Sequence, residues 1–247
     1  MKTEILKIII YKGKKKSDID KFEIFLEEFN IDRLKLFQFI IDNNLHDLNF
    51  LCLREIALAL NKNLDASWLI KYKFEWRQMK EIRLGLEKGL NVSIYAKPEY
   101  NFEQMREIRL GLEEGLDVSL YAKPEFNHFQ MKIIRLGLEE GLDISIYAKH
   151  EFSSEQIYQI KCGLKEKLDV SVYAKPEYDW RQMYEIREGL EEGLDVSFYA
   201  RPEYDWKQMF EIRKGLEKGL DVSIYAKPTY IWYDMREIRL KLEKQKQ

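Results

Sequence analysis

A period of 26 residues constrains this chain more than any other feature of its sequence. Met79, Met105, Met131, Met183, Met209 and Met235 stand in one register, with Ile157 in the remaining place, and Ile82, Ile108, Ile134, Ile160, Ile186, Ile212 and Ile238 follow in step. No insertion breaks the register. A unit this short cannot bury an apolar face by itself, so its copies must stack, and a solenoid is expected. Leu53, Ile56, Leu60, Leu64, Asp65 and Ser67 occupy the corresponding places one period earlier. Residues 49–74 therefore read as a degenerate first copy, 75–230 as full copies and 231–247 as a terminal capping helix. Residues 1–48 are different material, expected to form an α-rich N-terminal cap.

The copy at residues 179–204 predicts the fold of the unit. Asp179 is placed to cap a helix, and Gln182 three residues on completes a capping box in which each side chain satisfies an orphaned backbone N–H. Asn101 with Gln104, Asn127 with Gln130, Ser153 with Gln156 and Asp205 with Gln208 repeat the signal. Met183, Ile186, Leu190 and Leu194 share one arc of a helical wheel, and Gly193 suits the left-handed residue that ends a helix of roughly 13 residues. Gly189 is harder to place, because a glycine inside a helix costs about 1 kcal/mol relative to alanine. It nevertheless recurs at Gly85, Gly111, Gly137, Gly163 and Gly215. Close approach by the neighbouring repeat is the expected compensation, and Lys241 replaces the glycine in the last copy. Residues 195–200 suit a short helix closed by Pro202, although the alternation of Val196, Phe198 and Ala200 also admits a brief strand. The expected fold class is all-α, an α-solenoid of stacked units, each a long helix plus a short α or 3-10 helix. A helix-plus-short-strand horseshoe is the alternative.

Composition removes several function classes. Charged residues make up 34% of the chain, but their signs cancel to a net of −2, so no global basic field drives nucleic-acid binding. Two cysteines, Cys52 and Cys162, cannot build a disulfide framework and fit a reducing, cytoplasmic setting. Lys7 interrupts the apolar run at Ile8, Ile9 and Ile10, no cleavage site follows it, and no stretch approaches the roughly 20 apolar residues that span a bilayer. A membrane role is not expected.

Segments such as Val118-Ser-Leu-Tyr-Ala-Lys-Pro-Glu-Phe126 and Gln104-Met-Arg-Glu-Ile-Arg-Leu-Gly-Leu112 resemble the tandem repeats of poorly characterised proteins from Gram-positive bacteria, their phages and mobile elements. The likeness covers about residues 75–242. It implies the repeat architecture and such an origin; a product of that origin that engages a host factor, for example one of defence, is expected only on the strength of the aromatic row described below. It brings no activity.

Catalytic and metal-binding patterns are missing. The three histidines, His46, His128 and His150, do not recur at one repeat position, so the repeated serines Ser93 to Ser223 have no evident base and read as turn or helix-start donors to the backbone. No His and Cys spacing suits a metal, and each Gly-Leu-Glu-x-Gly falls at a helix end rather than between strand and helix. Neither an enzyme nor a cofactor is expected.

Two basic ladders offer a nucleic-acid or nucleotide reading. Arg83, Arg109, Arg135, Arg187, Arg213 and Arg239 are phosphate-binding candidates, unless each pairs with a repeated acid such as Asp117 or Asp195 in an adjacent unit. Lys97, Lys123, Lys149, Lys175, Arg201 and Lys227 form the second ladder, largely neutralised by glutamates two residues on. A third feature carries more. One row at four-residue spacing is rich in aromatic residues: Trp180, Tyr184, Trp206, Phe210, Trp232 and Tyr158, with Leu84, Leu110 and Leu136 at its other end. Tyrosine, tryptophan and arginine dominate binding anchors, so this row is the expected surface for a protein partner. Exposure is expected for Tyr158, Tyr184 and Phe210, whereas the tryptophans are equally suited to packing on the previous repeat. The expected function is a non-enzymatic binding scaffold; self-association through the end of the stack is a further possibility.

Overall fold

A computed structural model describes residues 2–246 of the chain, which contain helices and no strand. The chain divides into two compact units, Met1–Pro124 and Glu125–Gln247. No helix among the described residues is long and apolar enough to cross a membrane.

The first unit opens with three helices, α1 (Lys2–Tyr11), α2 (Lys16–Glu28) and α3 (Arg33–Asp42). Phe22, Phe25 and Leu26 from α2 and Leu36, Phe37 and Ile40 from α3 supply their core. Glu23 ties the three together: its carboxylate accepts from Tyr11 Oη at 2.6 Å and pairs with Lys7 at 2.8 Å and Arg33 at 2.9 Å. Burial opposes charge on Glu23, but the hydrogen bonds from Lys7, Tyr11 and Arg33 outweigh it and hold the carboxyl below its usual range. Phe22 stacks on Phe50 of α4 (Phe50–Asn61) with ring centroids 4.7 Å apart, joining this α-rich cap to the first copy. After the single turn α5 (Ser67–Ile70), α4 packs on α6 (Trp76–Glu87) and α6 on α7 (Phe102–Glu113).

The second unit contains α8 (His128–Glu139), α9 (Ser154–Lys165), α10 (Trp180–Glu191), α11 (Trp206–Glu217) and α12 (Trp232–Lys246), each packed on the next. From α6 to α11 every long helix is followed by a one-turn 3-10 helix, such as Val196–Phe198. Both units are therefore α-solenoid, and the strand alternative for residues 195–200 gives way to the short helix. Asp195 is the reason: its carboxylate accepts the backbone N–H of Ser197 at 3.1 Å and starts the turn.

The capping boxes form as expected and do a second job. Gln182 Oε1 accepts from the Asp179 N–H at 2.7 Å, while its amide nitrogen donates to the carbonyls of Pro202 and Tyr204 in the next loop at 3.2 and 2.6 Å. Gln208 does the same toward Pro228 and Tyr230. Glutamate would satisfy the capping box but has no N–H to donate. The last helix, with no further copy described beyond it, carries Asp234 at this place.

The mid-helix glycine has a different cause from the expected approach of a neighbouring repeat. Tyr199, from the 3-10 turn of the same copy, folds back beneath α10 and donates to the Glu185 carbonyl at 3.1 Å. A Cβ on Gly189 would lie 1.9 Å from the Tyr199 hydroxyl oxygen. Lys241 in α12 has no such tyrosine after it among the described residues. Gly193, with φ of 70°, ends α10 in the left-handed conformation its position predicts.

Candidate interaction face

The arginine ladder lies between successive helices, and its partners are not Asp117 or Asp195. Asp117, Asp143 and Asp195 cap the 3-10 turns, and hydrogen bonds from Ser119, Ser145 and Ser197 hold them below the usual carboxylate range. The hydroxyls of Ser93, Ser119, Ser171 and Ser223 donate to the capping side chain at 2.6 Å, rather than to the backbone. Arg83, Arg109, Arg213 and Arg239 instead reach back to the preceding helix and forward along their own. Arg213 Nε donates to Glu185 at 2.9 Å and its Nη1 to Glu217 at 2.6 Å. Arg109 pairs likewise with Glu81 at 2.8 Å and with Glu113, Arg83 with Glu55 and Glu87, and Arg239 with Glu211 and Glu243. Arg135 pairs with Glu139. Arg83, Arg109, Arg135, Arg187 and Arg213 are buried, so these guanidinium groups work as internal rungs.

One rung in the second unit is missing. Ile133 stands where the other complete copies carry Glu or Gln, and Lys161, the residue that would reach it, replaces arginine. Lys161 turns to Glu140 at 2.6 Å. Both partners of the rung have changed together, as expected if a carboxylate without its guanidinium is too costly to bury. In the next rung Arg187 meets Gln159 at 3.2 Å and gathers Glu166 at 3.0 Å and Glu191 at 3.2 Å, with Glu188 beside it. The copy that carries Ile133 also holds Tyr147, the described residue whose buried hydroxyl finds no partner.

The aromatic row lies alongside the rungs. Tyr158 is 53% exposed, Trp180 37% and Tyr184 36%. Phe210, for which exposure is expected, is half-buried, as are Trp206, Trp232, Leu84, Leu110 and Leu136. Cations lie between successive rings: the Arg181 guanidinium is 4.7 Å from the Trp180 ring and 6.0 Å from Trp206, and Lys207 is 5.6 Å from Trp206 and 5.1 Å from Trp232. Arg77 repeats the motif between Trp76 and Phe102 in the first unit.

At the missing rung the face opens into a groove of about 640 Å³ lined mainly by Phe129, Ile133, Leu136, Tyr158 and Trp180, with Lys132 and Glu155 at its edges. A second, of about 490 Å³, lies between α11 and α12 against Trp206, Phe210 and Trp232. Phe129 is 58% exposed, more than any residue of the expected row. Phe129, Ile133, Arg181 and Lys207 are missed by a row taken at strict four-residue spacing, because they stand one residue to its side. The signal for Phe129, Arg181 and Lys207 is variability, since Arg77, Glu103, Phe129, Glu155, Arg181, Lys207 and Tyr233 share one repeat position and have almost no chemistry in common; Ile133 instead departs from a position that is otherwise Glu or Gln.

No group of three or more metal-ligating side chains is arranged among the described residues to hold an ion. No protein-family model, curated protein or solved structure matches the chain. The fold and face together define a helical-repeat protein with ion pairs between its helices and a mixed aromatic and cationic surface.

Proposed function

We propose that the chain is a non-enzymatic, cytoplasmic scaffold that binds a protein partner along the aromatic face of α8 to α12. The observation that carries this is the groove at Ile133: exposed Phe129, Tyr158 and Trp180 border an open apolar floor at the place where the smaller groove between α11 and α12 has the Glu211–Arg239 ion pair. Apolar and aromatic side chains gathered on a preorganised surface are the usual anchor site of a protein interface. The repeated serine hydroxyls donate to capping carboxylates or amides and are not paired with a base, which favours binding over chemistry. The resemblance to phage and mobile-element repeats suits a host protein, including a defence factor, as the partner.

Affinity capture from the native host with the intact chain tests the proposal. A partner retained by the wild type and lost with the Tyr158→Ala, Trp180→Ala double variant supports it; identical captured sets from both count against it. The alternation of Trp180, Arg181, Trp206, Lys207 and Trp232 favours a second reading, single-stranded nucleic acid. Salt-sensitive binding of oligothymidylate, lost with Arg181→Ala and Lys207→Ala, would establish that instead.

A further inference from the structure

We infer that the groove between α8 and α9 receives an apolar side chain carried on an acidic segment of the partner, with Lys132 beside the anchor and the segment running on past Arg181, which lies between Trp180 and Trp206. This rests on the protein-binding reading and names the chemistry of what binds.

The anchor follows from what the missing rung exposes. Between α10 and α11 the corresponding space is closed by Glu185 and Arg213, whose side chains are each 5% exposed. At α8 and α9 the carboxylate is Ile133, and Lys161 is drawn away to Glu140, so an apolar floor stays open between Phe129 and Tyr158. A charge set on the floor against Ile133 and Leu136 would lose water there, whereas an aliphatic or aromatic side chain would displace water from apolar surface on several sides and leave Lys132 at the edge free for an acidic neighbour.

The acidic character follows from the charges beside the row. Lys132, Arg181, Lys207 and Arg236 are exposed and form no ion pair with a described residue. Against these four cations stand Glu155 and, beside Arg236, Glu237, both exposed and in no ion pair with a described residue; Glu188 and Lys214 are already engaged by Arg187 and Glu217. The chain as a whole carries a net of −2, so this excess of cations is local to the face. A face with an excess of one sign selects a partner of the other and speeds its encounter. A nucleic acid fits less well. Arg181 and Lys207 lie over the tryptophan rings that bases would need to stack on, and the arginine ladder is closed by carboxylates.

The test is selection of random displayed peptides on the immobilised intact chain, followed by affinity measurement of the enriched sequences and of oligothymidylate. Two variants accompany the wild type. Ile133→Glu with Lys161→Arg rebuilds the rung found elsewhere in the array, so the helices stay paired while the groove loses its apolar floor. Lys132→Glu with Arg181→Glu reverses two of the face's cations. The expected result is enrichment of peptides with one large apolar residue among aspartates and glutamates. Their affinity should fall by about tenfold or more with either variant, and with added salt. Enrichment of neutral or basic peptides, or full affinity for the rung-restored variant, overturns the inference while leaving a protein-binding scaffold in place. Absence of any enriched peptide also overturns it, and the host capture experiment then judges the scaffold reading separately. Binding of oligothymidylate with no enriched peptide overturns both.

Discussion

Gly189→Ala should destabilise the second unit by about 2 kcal/mol, opposite in sign to its effect on an isolated helix. Propensity alone favours alanine by about 1 kcal/mol. Against it, the new Cβ would meet the Tyr199 hydroxyl oxygen at 1.9 Å and Val196 Cγ1 at 3.0 Å. The tyrosine must swing away, giving up its 3.1 Å hydrogen bond to the Glu185 carbonyl in a buried site. Losing that bond costs about 1 kcal/mol or more, and overpacking adds roughly 1–3 kcal/mol. Urea unfolding of the intact chain, followed by circular dichroism, measures the sum. A double-mutant cycle isolates the cause. Tyr199→Phe alone should cost about 1 kcal/mol, and in the Gly189→Ala background it should recover part of the lost stability, because the 1.9 Å clash is gone while the ring at 3.2 Å and Val196 Cγ1 at 3.0 Å still have to give slightly. A Gly189→Ala variant as stable as the wild type, or strict additivity of the two changes, would refute the tyrosine as the reason for the glycine.

Gln182→Glu keeps the capping oxygen but sets a carboxylate against the carbonyls of Pro202 and Tyr204; a loss of about 2–4 kcal/mol is expected by the same unfolding measurement, whereas capping alone would leave stability unchanged. Arg213→Met strands Glu185 in a buried site and should cost about 3–5 kcal/mol, while adding Glu185→Met should recover most of it. Glu23 is held below its unfolded value, so the stability it contributes is present above that value and is lost as pH falls through the lower folded one. Acid unfolding of the N-terminal helices should therefore begin below the ordinary glutamate range near pH 4.5, and Glu23→Gln should flatten that limb of the stability profile.

The sequence by itself determined the period, the helix starts and the helix ends. These are local matters: Asp179 and Gln182 satisfy backbone groups within one turn, and Gly193 supplies one dihedral angle, so residue spacing suffices to place them. The aromatic row was legible for the same reason, as an arc on one helix. Tertiary structure decided whatever joins elements distant in sequence. Tyr199 reaches the Glu185 carbonyl from fourteen residues away and Arg213 reaches Glu185 from twenty-eight, and helical periodicity cannot rank such partners. Spacing alone therefore points the glycines to a neighbouring repeat and the arginines to Asp117 or Asp195, whereas the contacts are made to Tyr199 and its equivalents and to glutamates. The groove needed both kinds of knowledge. Ile in place of Glu at 133 and Lys in place of Arg at 161 are written in the sequence, but the two become one missing rung only because α8 packs on α9.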